Sequence, residues 1–391
     1  YETRYTLLRK AFSRFNVKDK DFVKFVQKAE YHDYALFMAL KQKYPVCWSD
    51  WPAEYKYSDS EALKVFKNQN KREYLFWLFI QYKFWQQWKK IKKYANSNGI
   101  KIIGDLPLYV SYDSVDVWKH HDVFKLDENL KPTFIAGVPP DYFSATGQLW
   151  GNPVYDYDYL KKTDYKWWMD RIAHAQKIFD VVRMDHFRGL DRFWSIPVTE
   201  TTAINGTWEK ADGREIFAKL KNRKIIAEDL GTLDEGVYNL IYETGFPSMK
   251  VILFAFGDND RNPYLPWNIT ENSVCYTGTH DNETVMGYVK SLDKEAFTDF
   301  KEKVQKCLDY LQIYKKLSGA ESVANALLDI AYACESKLTM IPIQDLLLLG
   351  NEYRMNWPGK TGYWTVRIKE SVFTDTLAKI ALMRARSFDR N

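Results

Sequence analysis

The sequence predicts an α/β chain built on parallel strands, and three observations carry that prediction. Short apolar runs recur along the chain, of the kind that form strands buried on both faces. Each of four such runs ends in acidic or mixed-charge residues. Stretches long enough for helices separate them. Lys101-Ile-Ile-Gly-Asp-Leu-Pro places Asp105 just past one strand, and Ile178 to Leu190 crowds Arg183, Asp185 and His186 past a second. Lys224-Ile-Ile-Ala-Glu-Asp-Leu-Gly places Glu228 and Asp229 past a third, and Val274 to Asn282 places His280 and Asp281 past a fourth. Strand, acidic residue, helix, repeated, is the grammar of a (β/α)8 TIM-type barrel, whose chemistry sits at the carboxyl ends of the strands. Charge at the end of a buried strand is costly to desolvate unless it is paired or at work. Several carboxylates are therefore expected to converge on one pocket.

Composition narrows the function classes. A net charge of +5 over 56 basic and 51 acidic residues is mild. The lysines are scattered, so no nucleic-acid footprint is present. Cys47, Cys275, Cys307 and Cys334 form no CxxC pair, which favours reduced thiols in a cytosol-like compartment. The six histidines are unclustered apart from His120-His121, so no metal site is expected. The most hydrophobic stretch, Tyr74 to Trp85, is broken by Gln81 and Lys83 and is too short to span a bilayer. No signal peptide is visible, and a soluble protein without a membrane partner is expected. Of the 14 Trp, 27 Tyr and 23 Phe, part is ordinary core and part suits platforms for the apolar faces of sugar rings, and composition alone does not separate the two.

In chain order, residues 1–95 read as a helical region without strands, with apolar spacing near 3.6 over Tyr31 to Leu40 and Lys71 to Tyr94. The aromatic stripe Tyr74, Trp77, Phe84, Trp88 is expected to pack against the barrel. Residues 96–391 read as the catalytic barrel. Within it, residues 106–165 read as a long irregular excursion centred on Gly137 to Pro153, a stiff loop offering Tyr142, Phe143 and Trp150 as a substrate lid. A second excursion covers 191–220. A helix near Leu233 to Glu243, a strand over Met249 to Phe256, a helical insertion at 290–337 split by Ser318-Gly319, a strand at Leu338 to Asp345 and a last helix from about Thr374 complete the chain. That makes six strands. Eight close a barrel, so either the barrel is open or two strands precede Tyr1, and the second is expected.

Three or four carboxylates, an arginine and two histidines at one pocket suit exchange of glycosidic bonds. One carboxylate attacks the anomeric carbon, a second protonates the leaving oxygen, and the oxocarbenium-like transition state wants negative charge nearby. Arg183 would keep Asp185 ionised by charge pairing. Glu228 suits the acid/base role if its surroundings are less polar.

Arg183-Met-Asp-His-Phe-Arg-Gly, Ala227-Glu-Asp-Leu-Gly and Thr279-His-Asp-Asn resemble the catalytic strand ends of the amylomaltase or disproportionating-enzyme family, the 4-α-glucanotransferases related to α-amylases. Gly137 to Pro153 resembles that family's lid, and Pro342-Ile-Gln-Asp-Leu-Leu and Arg354-Met-Asn-Trp-Pro-Gly resemble its last strand and following loop. The likeness runs from about residue 30 to residue 370. It implies Asp185 as nucleophile, Glu228 as acid/base and Asp281 as transition-state stabiliser. It also implies Asp105, Tyr142, Phe143, Gln148, Trp150, Arg183, His186, His280 and Asn356 as substrate contacts. No cofactor is implied, and the partner is a maltooligosaccharide or α-1,4-glucan. A cytoplasmic location, or a plastid in a plant, fits. Family members carry a further segment ahead of the matched part, including two barrel strands. An α-glucan hydrolase of the same clan and a non-catalytic glucan-binding protein are the alternatives.

Overall fold

The structure is a computed structural model that describes residues 2–140, 144–231, 233–257 and 259–390. Its chain forms two compact units. The first takes residues 1–225 with 232–244, and the second takes 226–231 with 245–391.

The first unit opens with helices, as the spacing predicts: Glu2–Ser13, Lys20–Val26, His32–Lys43, Ser60–Gln69 and the 27-residue Lys71–Ser97. The long helix buries Tyr74, Phe76, Trp77, Leu78, Phe79, Tyr82 and Trp85. Its aromatic stripe has two destinations. Tyr74 hydrogen-bonds His32, and Trp77 meets Tyr5 and Tyr34 edge-on, so these two pack among the amino-terminal helices. Trp88 donates its indole N–H to the Ile178 carbonyl and sets its ring against Phe179, at the threshold of a strand. Phe84 stacks on Trp88 and stays exposed.

Strand β1 (Ile103–Leu106) pairs in parallel with β4 (Val181–Met184), and the register sets Asp105 beside Arg183. Asp180 ties the two strands at their start by accepting from the Ile102 N–H and the Asn96 amide. Only glycine fits at position 104, because a Cβ there would lie 2.1 Å from the Phe179 ring.

The two excursions are more regular than the sequence suggests. They contribute β2 (Phe134–Val138) and β3 (Gln148–Pro153) from one, and β5 (Arg192–Pro197) and β6 (Thr207–Lys210) from the other. These pair antiparallel in the order β3-β2-β5-β6. The expected structureless lid is thus half strand. Its short runs carry Gly, Pro and charged residues with no clean alternation, and the pairing partners lie far along the chain, so local pattern could not reveal them.

The second unit holds the end of β7 (Ile225–Ala227), then β8 (Ser248–Val251), β9 (Ser273–Tyr276) and β10 (Leu338–Met340), all in parallel. β8 stops earlier than its apolar run suggests, giving way to a 3-10 turn over Ile252–Phe254. Helices Val285–Ser291, Lys294–Tyr310 and Ala320–Ala333 bury Val289, Val304, Leu327 and Ile330 over β9. The break expected at Ser318-Gly319 separates the last two of these helices, and Thr374 caps the final helix Asp375–Ser387 through the Leu377 N–H. Six parallel strands stand among the described residues, and the α/β class is as read. No described helix is long and apolar enough to cross a membrane.

Candidate active site

In the first unit the chemistry gathers where β1 and β4 end. Arg183 Nη1 donates to Asp105 Oδ1 at 2.6 Å and to Asp185 Oδ1 at 2.8 Å. One guanidinium therefore orients two partly exposed carboxylates at the ends of neighbouring strands. Charge-assisted bonds of this length are among the stronger polar contacts. His186 follows directly, with φ 48° and ψ 51°. That left-handed backbone is uncommon for a non-glycine residue and clusters at functional positions.

The His186 ring meets Trp150 edge-on, with centroids 4.8 Å apart, and lies near Tyr109. Burial holds its imidazole down to about 4, against the pull of the Asp185 carboxylate and with the help of Arg188. It is neutral at neutral pH. Trp150 also donates to Gln148 Oε1, so β3 brings two of the expected contacts together. Tyr142 and Phe143 lie outside the described residues.

In the second unit β7 delivers two consecutive carboxylates to different tasks. Asp229 is 3 % exposed, accepts the Met249 N–H at 2.6 Å and stands 3.7 Å from Lys250 Nζ. It staples β7 to β8. Burial pushes its carboxyl up, opposed by Lys250 and the Met249 N–H. Glu228, itself buried, spends Oε1 on the Leu230 N–H two residues on.

The end of β9 carries the remaining pair. His280 Nε2 stands 3.3 Å from Asp281 Oδ2, and Asn356 Nδ2 donates to Asp281 Oδ1 at 2.6 Å. Arg354 Nη2 donates to the Asp281 carbonyl at 2.7 Å. Trp364, also left-handed at φ 65°, sets its ring 5.2 Å from that of His280. Asp345, expected past the last strand, is buried: it accepts from Thr277 Oγ1 and the Val285 N–H and so holds β9 to the helix that follows. Sequence reasoning singled out neither Tyr109 nor Trp364. Arg354 lay inside a noted motif, but nothing local pointed to its partner 73 residues away.

Comparison with known proteins shows the family of the chain. The profile of a family described as 4-alpha-glucanotransferase matches residues 1–373. The chain belongs to the 4-alpha-glucanotransferase family. A 4-alpha-glucanotransferase of Clostridium butyricum is 42% identical over 400 residues, spanning 100% of this chain and 80% of that protein. One from Aquifex aeolicus is 43% identical over 95% of this chain and 75% of its own length. The structure of an amylomaltase from Streptococcus agalactiae in complex with acarbose superposes with a TM-score of 0.92 at 36% identity, covering 100% of this chain and 79% of that one. An amylomaltase from Corynebacterium glutamicum, at 19% identity and TM-score 0.73, shares the fold. The function of the chain is accordingly that of a 4-alpha-glucanotransferase.

Proposed function

We propose that the transfer runs by retaining double displacement, with Asp185 as nucleophile, Glu228 as acid/base and Asp281 as transition-state stabiliser. The observation that carries this reading is the Arg183 bridge. It holds Asp185 as a directed and accessible carboxylate at a strand end, as an attacking group requires. Asp185 attacks the anomeric carbon of an α-1,4-glucan while Glu228 protonates the departing oxygen, leaving a glucosyl ester on the enzyme. The 4-hydroxyl of a second glucan then attacks the same carbon, Glu228 takes its proton, the ester bond breaks and the α configuration is kept. Burial of Glu228 supports a role that needs it to hold and release a proton. Asp281, with His280 beside it, suits the developing positive charge and the sugar hydroxyls.

Asp105, Gln148, Trp150, Arg183, His186 and His280 are taken as substrate contacts, with maltooligosaccharides as donor and acceptor. The same reading takes the parallel strands as part of a TIM-type (β/α)8 barrel and the Gly137 to Pro153 stretch as its lid, a device that favours an acceptor sugar over water. Support for the barrel comes from the likeness to the Streptococcus agalactiae amylomaltase structure.

The test is redistribution of maltotriose into other maltodextrins. D185N and E228Q should each abolish it, and an unchanged product ladder from either variant overturns the assignment. Oligosaccharide profiles with and without added glucose distinguish transfer from hydrolysis.

A further inference from the structure

The resemblance suggests Asn356 as a sugar contact, but its hydrogen bonds give it another task. Its side-chain amide is spent on Asp281 Oδ1 at 2.6 Å. Its main chain is engaged on both sides: the N–H donates to the His280 carbonyl at 3.1 Å, and the carbonyl accepts from Arg354 Nε at 2.8 Å. Arg354 uses its remaining reach to hold the Asp281 carbonyl and lays its guanidinium over Trp357, 4.2 Å from the ring centre. Two consecutive peptides are thus laced to one loop more than 70 positions away, the His280 carbonyl to Asn356 and the Asp281 carbonyl to Arg354. A residue held at three points, two on its main chain and one on its side chain, with that side-chain donor aimed at a single carboxylate oxygen, is built to orient that oxygen. The other oxygen, Oδ2, faces His280.

We propose that Asn356 is a positioning residue, acting through Asp281 by setting the direction of its carboxylate, with Arg354 locking the loop that carries it. This inference rests on the transfer mechanism proposed above. A sugar-gripping residue and a positioning residue fail differently when removed. Loss of a grip weakens substrate and transition state alike and raises KM. Loss of orientation leaves substrate binding intact and lowers kcat.

The isosteric variant gives a sharper readout. The charged and titratable groups around Asp281 in this unit are His280, Arg354 and, around an adjoining cavity of about 210 Å³, Glu283 and Asp345. In N356D the introduced carboxyl can donate to Asp281 only while it is protonated. Two carboxyls at hydrogen-bond distance share one proton and hold it to higher pH than either would alone. As pH rises the shared proton leaves and like charges face each other.

The experiment compares wild type, N356A and N356D on maltotriose from acid to neutral pH, with thermal melts to confirm folding. N356A should lose roughly 10- to 100-fold in kcat with KM held within about twofold. The activity of N356D relative to wild type should be greatest at the acid end and fall steadily as pH rises. An N356A variant with raised KM and intact kcat, or an N356D profile parallel to wild type, overturns the positioning role and leaves the transfer mechanism standing. A wild-type protein that fails to redistribute maltotriose overturns the mechanism and this inference together.

Discussion

His186 turns its imidazole edge-on to Trp150, ring centroids 4.8 Å apart, so the residue after Asp185 leans on strand β3. Packing of this kind couples an electrostatic property to a mechanical one. The imidazole titrates near 4 because it is shielded, and shielding depends on what stands beside it.

Removing that wall with W150A should therefore raise the His186 pKa toward the ordinary histidine value. NMR titration of the histidine Cε1 protons would show it, and a resonance that still titrates near 4 would exclude Trp150 as the shield. The sign for stability follows from the same shift. An unfolded chain binds this proton near 6.5 and the folded one near 4. The group's contribution is complete above the upper value, falls as pH drops through that window, and is level below it.

Replacing Arg183 by lysine should cost more than its conserved charge suggests. One guanidinium nitrogen serves both Asp105 and Asp185 at 2.6 and 2.8 Å. A flexible ammonium on a shorter reach orients neither as firmly. R183K is expected to lower kcat roughly 100-fold through misplacement of Asp185, the nucleophile proposed above, with a smaller change in KM. Steady-state kinetics on maltotriose decides it.

Glu228 and Asp229 are neighbours in sequence with opposite expected failures. E228Q should remove turnover and leave the melting temperature near that of wild type. D229A should lower the melting temperature, because it strands the Met249 N–H and the Lys250 ammonium where water is scarce. An unsatisfied buried donor costs about 1–3 kcal/mol, and more when it is charged. Calorimetry alongside an activity assay separates the two, and an E228Q protein that melts as early as D229A would contradict the division.

Asp345 offers a similar measurement with a pH signature. D345A should destabilise by roughly 2–5 kcal/mol, since Thr277 and the Val285 N–H both lose a buried acceptor, whereas D345N keeps one acceptor in place. Burial raises the carboxyl, opposed by those two hydrogen bonds. A carboxyl that is raised on folding stabilises fully below its unfolded value and loses that contribution as pH climbs through its folded value. The deficit of D345N relative to wild type should therefore narrow as pH increases in urea titrations. A constant deficit would mean that Asp345 does not titrate in this way.

Much of the candidate site was legible because its residues announce themselves locally. A charged residue directly after a β-branched run is visible without any partner, which is how Asp105, Arg183, Asp185, Glu228, His280 and Asp281 were found. The tasks of Asp229 and Asp345 were hidden, because a carboxylate that staples two elements and one that does chemistry look alike until their donors are known. Long-range pairing hid the rest. The sheet β3-β2-β5-β6 joins segments on either side of β4, with Trp194 opposite Trp208 across β5 and β6. β8 was expected to be longer because Ile252 continues the buried apolar run into a 3-10 turn, and periodicity does not report where hydrogen bonding changes.

That antiparallel sheet also governs how this region can be exchanged between relatives. The segment carrying Asp185 is embraced by it, two strands arriving before the residue and two after. A graft of residues 134–153 alone would import β2 without the β5 edge it was shaped to meet, including the contacts from Phe134 to Pro197 through Gly137 to Trp194. Transplants intended to alter acceptor choice should move 134–153 and 192–210 as one cassette, leaving β4 and Asp185 in the host.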